Sequence, residues 1–146
     1  MPYKKILLAT DGSDHALHAA AQTAMLAKHM QAEVEVLSVA VIHPMYGGLH
    51  LGAVGAEGME EDAKRAAEAA CNDTAEKLKA EGIPVTTVVS LAMGNPADAI
   101  CREAEEFGAD LIVIGSRGLG RTGSLVMGSV SSQVIHCSSV PVLVVR

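Results

Sequence analysis

Two short segments carry the residue types and spacings best suited to chemistry. Towards the C-terminus, Gly115-Ser116-Arg117-Gly118 follows an apolar run, and Gly128-Ser129 opens a second amphipathic stretch, giving the pattern G-x2-G-x9-G-S. Glycine matters in such a loop because a residue without Cβ can take positive φ and bring its amide N–H groups against a phosphate chain. A helix starting at Gly128-Ser129 adds further N–H groups, the positive end of its dipole, and the hydroxyls of Ser129 and Ser131. Loop glycines taken singly serve turns, but this joint spacing, after a strand and before a helix, favours a phosphate cradle. Near the N-terminus, Ala9-Thr10-Asp11-Gly12-Ser13 ends another apolar run. Asp11 is either a helix cap or a ligand contact, and its place at a strand end favours the ligand.

Other reactive side chains read more plainly. Arg117 and Arg121 have the reach to meet phosphate oxygens, but loop arginines are commonly solvated. His15 and His18 stand three apart on a helix with no third metal ligand nearby in sequence, so they read as an exposed face. No catalytic residues and no metal site are assigned. The chain has no G-x-x-x-x-G-K-[ST] lysine to neutralise charge on a transferring phosphate, and no G-x-S-x-G or Ser-His-Asp arrangement. Cys71, Cys101 and Cys137 contain no C-x-x-C and read as small buried hydrophobes in a reducing compartment.

These segments need elements to position them. Ile6 to Ala9 and Leu111 to Ile114 are apolar runs too short for helices, and read as strands buried on both faces. Val34 to Ile42, Val85 to Leu91 and Val142 to Val145 supply three more strands. Between the first two strands, Leu17, Ala20, Ala21, Ala24 and Lys28 form a helical stripe ending near Met30. Met59, Ala63, Ala66, Ala70, Thr74 and Leu78 form a second, closed by Gly82 and Pro84. Met45 to Gly58, with its five glycines, reads as a mobile connection or lid. Asn95-Pro96 starts a third helix with Ala97, Ile100, Ala104 and Phe107 on one face, and Gly128 to Cys137 is the fourth. Regular alternation of this kind predicts an α/β fold: one domain over residues 1–146, an open five-stranded parallel sheet with helices on both faces.

Composition agrees. Aromatic residues are only 2% of the 146, so the core must be aliphatic, with helices lying close to the sheet. A formal charge of −6 repels nucleic-acid backbones and anionic membranes, so neither is expected as a partner, and an anionic ligand must be held by local amides and dipoles. Lys4 and Lys5 are followed by too few apolar residues for a signal peptide, and no run approaches a membrane span, so a cytoplasmic protein is expected.

The runs Ile6-Leu7-Leu8-Ala9-Thr10-Asp11-Gly12-Ser13, Ala109-Asp110-Leu111-Ile112-Val113-Ile114-Gly115, Gly128-Ser129-Val130-Ser131 and Val140-Pro141-Val142-Leu143-Val144-Val145 resemble the universal stress protein family, in its ATP-binding branch. That resemblance covers essentially the whole chain. It implies strand order 3-2-1-4-5, as in the adenine nucleotide alpha-hydrolase-like fold, with the crevice between strands one and four. It further implies that Asp11 meets the ribose or a phosphate-bound Mg²⁺, that Val39 meets adenine through its main chain, and that Gly115, Gly118, Gly128, Ser129 and Val130 surround the phosphates. Ala9, where the family often has proline, is expected to contribute backbone. The implied function is an ATP-binding stress-response sensor or switch; a slow ATPase or autophosphorylating enzyme, and a non-nucleotide interaction module, are the alternatives. Adenine and ribose contacts are alike for ATP, AMP and a cyclic nucleotide, which stay open. An apolar C-terminal strand at the sheet edge leads to the expectation of a homodimer through Val142 to Val145, beside a protein partner that the sequence does not identify.

Overall fold

A computed structural model describes residues 2–42, 53–117 and 128–146, with residues 53–57 described by backbone alone. The elements are β1 (Lys5–Ala9), α1 (Asp14–Met30), β2 (Glu33–Ile42), α2 (Ala53–Ala80), β3 (Val85–Met93), α3 (Ala97–Phe107), β4 (Leu111–Gly115), α4 (Ser129–Cys137) and β5 (Val142–Val145). All the strand pairings are parallel, in the order β3-β2-β1-β4-β5. Successive side chains of a strand alternate between faces, so Ile6 and Leu8 enter one core while Leu7 and Ala9 enter the other. Alanines of α1 and Cys71, Ala75 and Leu78 of α2 close the first core. Ile100 and Ala104 of α3 and Val134 of α4 close the second.

Three expectations need correction. The buried stripe of α1 is Ala16, Ala19, Ala20, Thr23, Ala24 and Ala27, whereas Leu17, Ala21 and Lys28 point outward. A helix this rich in alanine has little contrast between faces, and close approach to the sheet selects the smaller side chains. Second, α2 begins at Ala53, so Gly55 and Gly58 belong to a helix and not to a connection; residues 45–52 lie outside the described residues. Each glycine costs a helix roughly 1 kcal/mol, which the good helix formers that follow offset. Third, Cys101 and Cys137 form a disulfide between α3 and α4, with their Cα atoms 6.3 Å apart. A separation of 36 residues hides the pair from any local pattern, because the packing of the two helices creates it. Cys71 is the buried thiol that was expected, its Sγ donating to Val36 O at 3.1 Å.

One charged group breaks the apolar run of β2. Glu35, at the end of the sheet away from the strand C-termini, is buried, and its Oε1 has no hydrogen-bond partner among the described residues. Burial, then the charge of Glu103 on α3, push its carboxyl from 4.5 up to about 7, while Lys5 works in the opposite direction. The fold therefore holds a proton that the unfolded chain has already released, and stability falls as pH rises from 4.5 through about 7. Glu35→Gln is expected to remove that slope and to stabilise the protein at pH 8 by on the order of 1 kcal/mol or more, read by urea denaturation at pH 5 and pH 8. An unchanged pH slope in the variant would contradict this account of Glu35.

Candidate functional site

Strand order reverses between β1 and β4: the chain leaves β1 for α1 on one face of the sheet and leaves β4 for α4 on the other. Brackets of this kind open a crevice beyond the strand C-termini. A cleft of about 740 Å³ lies there, within the range of small-ligand sites. Its floor is the ends of β1, β2 and β4, and its sides are α2, at Ala63, Ala66 and Ala67, and the turn at Asn95 and Pro96. Asn95 Oδ1 accepts from Ala97 N at 2.8 Å, satisfying the first amide of α3 from one residue ahead of its N-cap, Pro96.

The N-terminal segment is held by local bonds. Thr10 N donates to Leu37 O at 2.9 Å and Ser38 Oγ donates to Thr10 O at 2.8 Å, tying the end of β1 to β2. Ser13 Oγ accepts from Ala16 N and caps α1, while Asp11 Oδ1 accepts from Ser13 N at 2.9 Å. Asp11 is thus part of a turn and, being exposed, also lines the cleft. Gly12 takes φ +81°, which lets the chain turn into α1.

At the other strand end, glycine serves a different purpose from the one its spacing suggests. Neither Gly115 nor Gly128 has positive φ. A Cβ on Gly115 would stand 2.8 Å from the carbonyl carbon of His15, so the residue is small because α1 lies directly against β4. A Cβ on Gly128 would stand 3.0 Å from Ser116 O. That approach allows Gly128 N to donate to Ser116 O at 2.6 Å, which closes the mouth of the loop between them. Ser131 Oγ, expected to offer its hydroxyl to a ligand, is buried and directed at Ser116 O and Gly128 O, 3.1 and 3.0 Å away. The ladder of α4 starts with Ser132 N donating to Gly128 O. The amides of Ser129, Val130 and Ser131 precede that first bond, at the end of the helix where the dipole is positive.

Of the residues expected at a site, Ala9, Asp11, Val39, Gly115, Gly128, Ser129, Val130 and Ser131 all line this one cleft. Gly118 and Arg121 lie outside the described residues. Two side chains read from sequence as solvated are not. His15 is half-buried with Nδ1 2.9 Å from Ser116 Oγ, and Arg117 lines the cleft with a guanidinium nitrogen 3.3 Å from His15 Nε2. Nothing local marks this contact, since it spans 102 residues of sequence. His18 keeps the exposed position expected of it.

The donor set suits a phosphate: first-turn amides, a serine hydroxyl at Ser129 and a guanidinium. Among the described residues no group of three or more His, Cys, Asp or Glu is placed to hold a metal ion. A Mg²⁺ here would take its ligands from phosphates and water, with Asp11 the nearby carboxylate.

The sequence model of the universal stress protein family matches residues 2–146. The chain belongs to that family. It is 41% identical over 144 residues to a universal stress protein of Thermus aquaticus, covering 99% of each chain. Among solved structures it is similar to the universal stress protein UspA from Lactobacillus plantarum, with a TM-score of 0.81, 26% identity and coverage of 100% of this chain and 99% of that one. A further universal stress protein, solved in complex with cAMP, is 26% identical with a TM-score of 0.68 over 100% of this chain and 99% of that one. Both likenesses agree with the β3-β2-β1-β4-β5 order and the helices on both faces.

Gly115→Ala is expected to lower stability by about 1–3 kcal/mol, because its Cβ meets backbone atoms of α1 that cannot swing aside. Gly58→Ala, with open space around the added Cβ and no positive φ, is expected to stabilise slightly. Thermal denaturation of the two variants tests the pair. A neutral Gly115→Ala would mean that α1 does not lie so close to β4.

Proposed function

We propose that this universal stress protein, acting as one domain over residues 1–146, binds an adenine nucleotide in the β1/β4 cleft and works as a sensor or switch. ATP is the ligand favoured, with AMP and related nucleotides sharing its adenine and ribose contacts. The observation that carries the reading is the joint placement of Gly115, Ser129, Val130 and Arg117 around one crevice, where amides, dipole and guanidinium converge. A universal stress protein of similar structure solved with cAMP supports an adenine ligand. In this reading Asp11 meets the ribose or a phosphate-bound Mg²⁺, Val39 meets the base through its main chain, and Ala9 contributes backbone. Gly118 belongs with the phosphate contacts.

In this reading the protein is a binder and not an efficient phosphotransferase, since the sequence has no P-loop lysine. A guanidinium has only hydrogen-bond donors, so His15 Nε2 accepts from Arg117, and the single proton of a neutral imidazole then sits on Nδ1, facing Ser116. So arranged, His15 has no lone pair with which to take a proton from Ser116. Turnover is accordingly expected below about 1 s⁻¹, under the usual enzyme range. A cytoplasmic setting and a further protein partner, whose association follows nucleotide occupancy, complete the reading. No helix among the described residues is long and apolar enough to cross a membrane.

The same reading includes a homodimer. Among the described residues β5 is the edge of the sheet, bonded to β4 on one side only, and its four residues are all partly exposed. A twofold partner would pair these strands antiparallel and close the assembly.

Two outcomes test the proposal. ATP at 100 times its Kd is expected to stabilise the fold by about 2.7 kcal/mol, seen as a rise in Tm, with the rise lost in Gly128→Val. No stabilisation by ATP, AMP or cAMP, together with no nucleotide released from the denatured purified protein in mass spectrometry, would refute the binding reading. For the dimer, sedimentation equilibrium at tens of micromolar is expected to show two chains, and Val144→Lys one, since it buries an unpaired charge at the twofold. A monomeric wild type would end the dimer proposal.

A further inference from the structure

The contact between His15 and Arg117 has a fixed foundation. Ser116 is buried, and its carbonyl accepts from Gly128 N at 2.6 Å and from Ser131 Oγ at 3.1 Å. Its hydroxyl, 2.9 Å from His15 Nδ1, anchors the imidazole, and His15 Nε2 in turn lies 3.3 Å from the guanidinium. This chain of three side chains runs from the start of α4 back to a cation. The Arg117 Cα itself lies 3.4 Å from where a Cβ on Gly128 would stand, so the backbone of Arg117 and the start of α4 share one corner of the cleft, which Arg117 also lines.

Charge gives that corner its meaning. Among the described residues lining the cleft, Arg117 is the cation and Asp11 the anion, in a chain of formal charge −6. Helix amides and the dipole serve the first phosphate group they meet, and their effect fades within a turn. Each further phosphate adds negative charge that those amides do not reach, and a forked, permanently charged side chain is the group that can follow it. The contact of Arg117 with His15 is one to a neutral nitrogen, so exchanging it for a phosphate oxygen replaces an ordinary bond by a charge-assisted one.

We propose that Arg117 reads the number of phosphates on the bound nucleotide, selecting di- and triphosphates over monophosphates and cyclic monophosphates, with His15 the positioning residue that holds the guanidinium for that contact. This rests on the nucleotide reading above and names how the same cleft discriminates.

Titration calorimetry of the full chain in Mg²⁺-free buffer, with ATP, ADP, AMP and cAMP, tests it. Arg117→Gln is expected to weaken ATP by about tenfold or more while changing AMP and cAMP less than about twofold, the loss of one charge-assisted contact. Arg117→Lys, which keeps the charge but not the fork, is expected to recover part of the preference for ATP. His15→Phe is expected to weaken ATP about threefold with AMP unchanged, and His15→Gln, whose amide oxygen also accepts from a guanidinium, to restore it. Retained AMP binding certifies that each variant is folded. ATP binding undiminished in Arg117→Gln, or ATP and AMP weakened alike, would overturn the proposal. A wild type that binds none of the four would refute the nucleotide reading itself, whereas a wild type that binds them with no preference for phosphate number would remove only the discrimination.

Discussion

The backbone of α1 lies against Gly115 with no room for a side chain between them. Everything at the C-terminal edge of the sheet depends on that contact. It places His15 over the end of β4, beside Ser116 and Arg117, and it sets how far the two arms of the chain stand apart where strand order reverses. A second close approach, Gly128 against Ser116 O, brings the start of α4 to the same corner. The cleft is therefore defined by two missing Cβ atoms and by the hydrogen bonds that their absence permits, with no need for strained φ at either glycine.

The two ends of the sheet treat charge in opposite ways. At the strand C-termini, amides, a helix dipole and Arg117 concentrate positive potential in a chain whose net charge is −6. At the other end, Glu35 is buried next to Glu103, and burial keeps its proton on up to about pH 7. The first arrangement prepares a place for an anion. The second costs stability as pH rises, and stands two residues along β2 from Leu37, where the lining of the cleft begins.

Much of this was legible in the sequence because the relevant signals are local. Ile6 to Ala9 and Leu111 to Ile114 are short apolar runs ended by glycine or aspartate, and both are buried strands. Asp11 and the Gly128-Ser129 start were assigned to one crevice from their places at a strand end and a helix start, Val39 through the family resemblance alone, and all line the cleft. What the sequence hid arises from contacts between distant segments. The Cys101–Cys137 disulfide follows from the packing of α3 on α4, and the contact of His15 with Arg117 from the seating of α1 on β4. The phase of α1 was misread for another reason: Ala19, Ala20 and Ala21 are identical in hydrophobicity, and only the position of the sheet distinguishes the outward one. Gly115 illustrates a third case, in which the residue type was read as significant but its purpose is close packing and not backbone freedom.

The account centres on a nucleotide whose phosphates sit at the start of α4 between β1 and β4. Backbone amide resonances of the ¹⁵N-labelled protein followed during an ATP titration address it most directly. The expected result is saturable shifts concentrated at Asp11, Val39, Gly115, Ser129 and Val130, with Thr86 and Glu35 at the far end of the sheet unmoved. Shifts gathered at that far end, or along β3, with Ser129 and Val130 unaffected at saturating ATP, would contradict it.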